Sequence, residues 1–199
     1  MKLKIDQNSV KKKLRAPNKK MEQAATAAAI KQLDDAKDQM LEEFDNHPVT
    51  KEIEAGVESS NISGTLGGYG NLFSFIGFDR GSNPIQFLRN LIINTISLPK
   101  KPFAKRRGVY FFRVKVPTMK NLETETPLPY EKSRSWIRGI ERGISGIGYF
   151  IFRKRNNSYS RSGGGIQTEK KARGGVRFGN MPYLSRILEN FYKKAKIKK

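Results

Sequence analysis

The chain contains no cysteine and only one histidine, His47, among its 199 residues. Without cysteine it can form no disulfide bond, no thiolate nucleophile and no zinc site with sulfur ligands. His47 has no second histidine with which to share a metal and no obvious serine partner, so we expect it to have a structural or helix-capping role. We therefore predict that the protein is not an enzyme and has no catalytic residue, no metal site and no cofactor.

Long apolar runs are also missing. The longest apolar passage, residues 85–98, is interrupted by Gln86, Arg89, Asn90 and Asn94 and is too short to span a bilayer. The first residues have no apolar run behind their lysines, so we expect no signal peptide. These absences predict a soluble protein with no membrane partner.

Acidic residues are few, and they are unevenly distributed. The chain carries 39 Lys and Arg residues against 18 Asp and Glu residues, which gives a formal net charge of +21. Residues 1–20 carry a net +7, residues 21–97 a net −6 and residues 98–199 a net +20. This split predicts one acidic and one strongly basic surface, suited either to a polyanion or to stacking on copies and neighbours of opposite charge.

Hydrophobic spacing predicts an α+β fold, with a small mixed or antiparallel sheet packed against a long amino-terminal helix and further helices. The predicted elements are a long helix over residues 18–45, a short helix over 48–55, a buried strand over 72–78, a core helix over 84–97, a strand over 108–116, a loop over 118–130, a helix from Ser133, a strand over 149–152, a short strand over 176–178 and a last helix opened by Asn180 and Pro182.

Composition divides the chain into one domain with basic extensions. Residues 1–17 are predicted to be a basic arm, residues 18–192 a single α+β domain and residues 193–199 a basic tail. Within the domain, residues 156–175 form a basic, glycine-rich loop.

Two sets of charged residues are candidate binding sites. Because no helix-turn-helix, zinc-finger or aromatic RNA-binding pattern is visible, we expect nucleic-acid contacts to go through the phosphate backbone, independently of base sequence. The cations expected to bind nucleic acid or a partner are Lys100, Lys101, Lys105, Arg106, Arg107, Arg153, Lys154, Arg155, Arg161, Lys170, Lys171 and Arg173. The residues expected at an oligomer interface are Asp34, Asp35, Asp38 and Glu42, on the outer face of the first helix.

Two segments carry a resemblance to a known family. Residues 44–53, Phe-Asp-Asn-His-Pro-Val-Thr-Lys-Glu-Ile, and residues 63–78, Ser-Gly-Thr-Leu-Gly-Gly-Tyr-Gly-Asn-Leu-Phe-Ser-Phe-Ile-Gly-Phe, are followed by Asn-Pro-Ile at 83–85. Together they resemble the neck or tail-completion proteins of tailed bacteriophages, which join head to tail. In element order the likeness extends over residues 18 to about 150.

The resemblance implies a virion structural protein of the neck region, made in the host cytoplasm, with no catalytic residues. In that family a long amino-terminal helix lies against a small sheet, and several copies form a ring through which DNA passes. For this chain it implies a tail-completion or tail-terminator-like ring, hexameric or dodecameric. The implied partners are further copies, other neck and tail proteins, and the DNA in the channel.

A second interpretation is a standalone protein, such as a ribosome-associated one, that binds RNA or DNA independently of sequence. The net +20 of residues 98–199 would repel itself in a free monomer, so phosphates or acidic partners are expected to neutralise it. Both interpretations require a partner of negative charge.

Overall fold

The computed structural model describes residues 19–66, 70–99, 102, 104–106, 109–129, 131–143, 150–152, 166–168 and 178–197. These residues form an α+β fold with a long amino-terminal helix, which confirms the predicted class. The helices are α1 (Lys19–Asn46), α2 (Pro48–Glu54), α3 (Leu72–Ile76), α4 (Pro84–Thr95), α5 (Met119–Glu125), α6 (Trp136–Arg142) and α7 (Leu184–Lys194), with a short 3-10 helix at Gly56–Glu58.

The strands of the described residues pair as three antiparallel, two-stranded ribbons. They are β1 (Ala104–Arg106) with β2 (Val109–Phe111), β3 (Pro127–Leu128) with β4 (Glu131–Ser135), and β5 (Phe150–Phe152) with β6 (Ile166–Thr168). In the first ribbon Lys105 lies opposite Tyr110, and in the third Ile151 lies opposite Gln167.

The long helix α1 forms where its apolar spacing predicts it. Leu33, Ala36, Met40 and Phe44 recur every three or four residues and are buried, because this stripe packs on the body of the protein and chiefly on α7. Residues 19–32 contain no buried side chain. Among the described residues, the core therefore holds only the carboxy-terminal half of α1.

The predicted strand over residues 72–78 is wrong, because its first five residues form helix α3. The Oδ1 atom of Asn71 accepts the backbone N–H of Ser74 at 2.9 Å, which caps the start of the helix. Gly77, at φ 85°, closes it in the left-handed conformation that glycine adopts without steric cost. Apolar residues do alternate in this stretch, but the caps at Asn71 and Gly77 favour a short helix over a strand.

Three further predictions from the second half of the chain need correction. The predicted loop over 118–130 contains α5, capped by Thr118, and the short strand β3. The predicted strand over 108–116 is reduced to β2 and an isolated bridge between Lys115 and Ser97. In the predicted strand over 176–178, residues 176 and 177 lie outside the described residues and Phe178 is not in a strand.

The predicted helices around residues 48–55 and 84–97 are confirmed as α2 and α4. Asn83 caps α4 through its Oδ1 atom, which accepts the N–H of Gln86 at 3.0 Å, and Pro84 supplies the first turn. The helix predicted after Ser133 begins at Trp136, and the one opened by Asn180 and Pro182 begins at Leu184.

One hydrophobic core joins the beginning, middle and end of the described chain. Phe78, just after α3, meets the ring of Trp136 edge to face with 5.7 Å between ring centroids. Tyr183, which is fully buried, stacks on Phe44 of α1 with 6.1 Å between centroids. The core thereby holds α6 and the carboxy-terminal half of α1 in one body.

Candidate charged interfaces

Most of the predicted nucleic-acid-binding cations lie outside the described residues. Lys105 and Arg106 are in β1, where their backbones pair with Tyr110 and Val109. The others, outside the described residues, are Lys100, Lys101, Arg107, Arg153, Lys154, Arg155, Arg161, Lys170, Lys171 and Arg173. The basic arm over 1–17 and most of the 156–175 loop lie there as well.

Charge is divided between the described body and the remaining segments. The described residues contain 20 basic and 16 acidic side chains, a net charge of +4. The other +17 of the chain's +21 therefore belongs to the segments outside them. The body is thus close to electrically balanced, and its charges matter through their arrangement more than through their sum.

The predicted interface acids form an exposed surface on α1. We define the acidic face as Asp34, Asp35, Asp38 and Glu42, all of which are exposed. Each helical turn advances about 6 Å over four residues, so Asp34, Asp38 and Glu42 make a row about 12 Å long. Within the part of the chain that the structure describes, none of the four forms an ion pair.

A second charged surface is a groove between α5, β4 and α6. We define the cationic groove by Lys120, Lys132, Arg138 and Arg142, all exposed, which line a space of about 640 Å³. Its wall also carries Glu123, Thr124, Leu128, Ser133, Arg134, Ser135, Gly139 and Gly143. Arg134 is paired with Glu131 at 3.5 Å, whereas no carboxylate of the described residues pairs with the four defining cations.

Local structure holds the groove in shape. Ser135, the last residue of β4, caps α6 by accepting the N–H of Arg138 at 3.4 Å. Its hydroxyl also lies 3.0 Å from the hydroxyl of Thr126, which follows α5. Trp136, buried on the inner side of α6, donates its backbone N–H to the backbone carbonyl of Thr126 at 3.1 Å.

These contacts set which way the groove's cations face. Because Trp136, Ile137 and Ile140 occupy the buried side of α6, Arg138 and Arg142 point outward one helical turn apart. Arginine and lysine side chains in this arrangement can bind carboxylates or phosphates through charge-assisted hydrogen bonds.

The cationic groove was not among the sites predicted from sequence. Arg138 and Arg142 fall within the helix predicted from Ser133, but Lys120 was assigned to the loop predicted over 118–130. The signal that could have found it is Thr118, a residue type that starts helices, followed by the apolar Met119 and Leu122. Even so, only the folded chain brings Lys120 beside Lys132 and α6.

His47 has the capping geometry expected of it. Its Nδ1 atom accepts the N–H of Val49 at 3.3 Å at the start of α2, and its ring lies 4.7 Å from that of Tyr183. Burial lowers the pKa of His47, an effect that the nearby Arg186 reinforces and a hydrogen bond with the backbone of Pro182 opposes.

No family model matches the chain, and neither a curated protein nor a solved structure was found to be similar to it. Among the described residues, no helix is both long enough and apolar enough to cross a membrane. Within the same residues, no group of three or more histidine and acidic side chains is placed to hold a metal ion.

Proposed function

We propose that this protein is a structural subunit of a tailed-bacteriophage virion, part of the neck or head-to-tail connector. Copies of the chain form a ring around the DNA channel, as a tail-completion or tail-terminator-like component. They contact other neck and tail proteins and are made in the host cytoplasm. The resemblance of residues 44–53 and 63–78 motivates this assignment, and the structure adds an independent reason to expect an assembly.

The observation that carries the proposal is the first half of α1. Residues 19–32 are helical, yet none of their side chains is buried against the described body. Ile30 is 44% exposed, and at the end of the segment Gln32 donates to the backbone carbonyl of Ala195 at 3.0 Å. Helices of this length are marginal in water without tertiary packing. A neighbouring copy would offer this segment an apolar packing surface that the described part of the chain does not.

The charge arrangement supports the same conclusion. A nearly balanced body that separates an acidic face from a cationic groove attracts its own copies through unlike surfaces. Contacts between unlike surfaces are heterologous. They close into a ring when a whole number of the rotations that relate one copy to the next adds up to a full turn.

Rings can be sought directly with the purified full-length chain. Negative-stain electron microscopy should show closed rings, and native mass spectrometry should give a single mass that is a multiple of 22.6 kDa. Raising the salt concentration should shift the population toward monomer if exposed charges contribute to the contact. A protein that stays monomeric at all concentrations and is absent from purified virions would overturn the proposal.

The second candidate function is sequence-independent binding of RNA or DNA by this protein acting alone, outside any virion. The +17 carried outside the described body favours it, because polyphosphate binding draws its free energy from released counterions. Monomer should then bind single-stranded DNA with an affinity that falls steeply with salt.

Matched triple variants test this second function. Lys170, Lys171 and Arg173 are replaced by glutamine in the first variant. A plot of the logarithm of the binding constant against the logarithm of salt concentration should then become less steep, by roughly one unit of slope for each phosphate that the protein no longer neutralises. Replacing Lys51, Arg80 and Arg186, three exposed cations of the body, removes the same charge and should change the slope less. If the wild-type chain does not bind polyanions, this function is ruled out.

A further inference from the structure

We propose that the cationic groove of one subunit receives the acidic face of α1 from the next subunit. The inference rests on the proposed ring-forming function, for which it names the contact between sister subunits. Because the two surfaces lie on different elements of the chain, each copy would offer one surface to each neighbour, head to tail.

The spacing of charge agrees on the two surfaces. Asp34 and Asp38 lie one helical turn apart on α1, and Arg138 and Arg142 lie one turn apart on α6. Both intervals correspond to about 6 Å along a helix axis. Two carboxylates can therefore meet two guanidinium groups at once, and each pair can form the bidentate contact that arginine and carboxylate geometry favours.

Glu123, an acid that lines the groove, indicates which charges the occupant must carry. Glu123 lines the groove and is half-buried there, so an occupant that carries only negative charge would meet a repulsive group. On α1, Lys31 is exposed and precedes Asp35 by one turn and Asp38 by two, so it lies on the same side of the helix as the acidic face.

A helix face with one lysine and four acids matches a groove that carries one glutamate and four cations besides Arg134, which is paired with Glu131. A nucleic-acid backbone has no cation to place beside Glu123. The chain's surplus positive charge, which suits a polyanion, lies outside the described body. Charge complementarity therefore favours α1 of a second copy over nucleic acid as the occupant of the groove.

Reciprocal charge reversal in the full-length chain tests the contact. The first variant, Arg138→Glu with Arg142→Glu, places two acids where the groove would meet Asp34 and Asp38. The second, Asp34→Lys with Asp38→Lys, places two lysines where the α1 face would meet Arg138 and Arg142. Each should lose rings when alone, because like charges then meet at every interface. An equimolar mixture should regain rings of alternating subunits, and a chain with all four changes should regain rings by itself.

Matched controls separate this contact from a general effect of charge. Lys51→Glu with Arg80→Glu and Glu54→Lys with Glu58→Lys reverse exposed charges elsewhere on the body and should keep the rings. Circular dichroism and thermal unfolding check that each variant is folded. If the first variant fails to fold, Lys120→Glu with Lys132→Glu makes the same test on the strand and α5 side of the groove.

The outcomes distinguish failure of the groove contact from failure of the proposed ring-forming function. Rings in every variant overturn the groove contact but leave the ring-forming function standing, whereas a wild-type chain without rings removes the function and the contact together. If the groove variant keeps its rings but loses binding to single-stranded DNA, the groove is a nucleic-acid site and the inference is wrong. Recovery of rings on mixing supports it, since neither misfolding nor loss of nucleic-acid binding can produce that result.

Discussion

The carboxylate of Glu52 accepts the backbone N–H of Leu72 at 2.8 Å, although the two residues are 20 positions apart in the chain. Its second oxygen accepts the N–H of Ser63 at 2.7 Å, and the side chain has no solvent exposure. One glutamate on α2 therefore holds both ends of the glycine-rich stretch between Ser63 and Leu72. The resemblance to neck proteins falls on this same stretch, whose two ends Glu52 joins.

Replacing Glu52 by glutamine should destabilise the protein by about 1–3 kcal/mol. An amide has only one acceptor oxygen, so the amide NH₂ would face one of the two backbone N–H groups and leave it unsatisfied. Urea unfolding measures the loss. Glu54→Gln, at an exposed position on the same helix, is the control and should change stability by less than about 0.5 kcal/mol. If both variants lose the same stability, the two hydrogen bonds that Glu52 accepts from Ser63 and Leu72 do not stabilise the fold.

Replacing Asn71 separates its two functions. Besides capping α3, its Nδ2 atom donates to the carbonyls of Val57 and Ser59, each at 3.1 Å. Asn71→Ser keeps a capping oxygen but loses both donated hydrogen bonds, whereas Asn71→Ala loses all three. We expect the alanine variant to be less stable by about 1 kcal/mol than the serine variant, as measured by chemical denaturation. A serine variant as unstable as the alanine variant would show that the cap contributes nothing.

The hydroxyl groups of Thr50 and Tyr183 form a buried pair at 2.7 Å. Burial raises the pKa of Tyr183, so the phenol stays protonated. Tyr183→Phe should cost about 1–3 kcal/mol because it leaves the Thr50 hydroxyl without its partner. The double variant with Thr50→Val should cost less than the sum of the two single variants, and strict additivity in the double-mutant cycle would rule out coupling between them.

His47 should make stability depend on pH. Because burial lowers its pKa below the ordinary value of 6.5, the unfolded chain binds the proton first as the pH falls. The stability from neutral His47 is therefore present above pH 6.5 and is lost as the pH falls below that value towards the folded pKa.

A variant that cannot titrate provides the comparison. In His47→Asn the side chain can still cap α2 but takes up no proton, so the fall in unfolding free energy between about pH 7.5 and about pH 5.5 should become smaller than in the wild type. His47 is the chain's only histidine, so no other histidine obscures the result. An unchanged pH dependence would exclude this residue as its source.

Much of the helical half of the fold was predictable because its signals are local. The buried stripe of α1 follows from residue spacing, and Asn83 with Pro84 marks the start of α4 through contacts within one turn. For the stretch after Asn71 the sequence contained two conflicting signals. Alternating apolar residues indicated a strand, but Asn71 and Gly77 form caps at the right distance for one short helix.

Of the candidate sites, the acidic face was predictable and the cationic groove was not. Asp34, Asp38 and Glu42 share a helix face by spacing alone, whereas Lys120, Lys132 and Arg142 come from three elements whose meeting depends on the core.

By itself, the sequence determined the distribution of charge and the positions of its best-capped helices, because composition, spacing and caps act over a few residues. Only the tertiary structure decided which charges gather into one groove and which half of α1 remains outside the core. Both depend on the packing of residues far apart in the chain, as when Glu52 holds Ser63 and Leu72, and local propensity carries no information about such contacts.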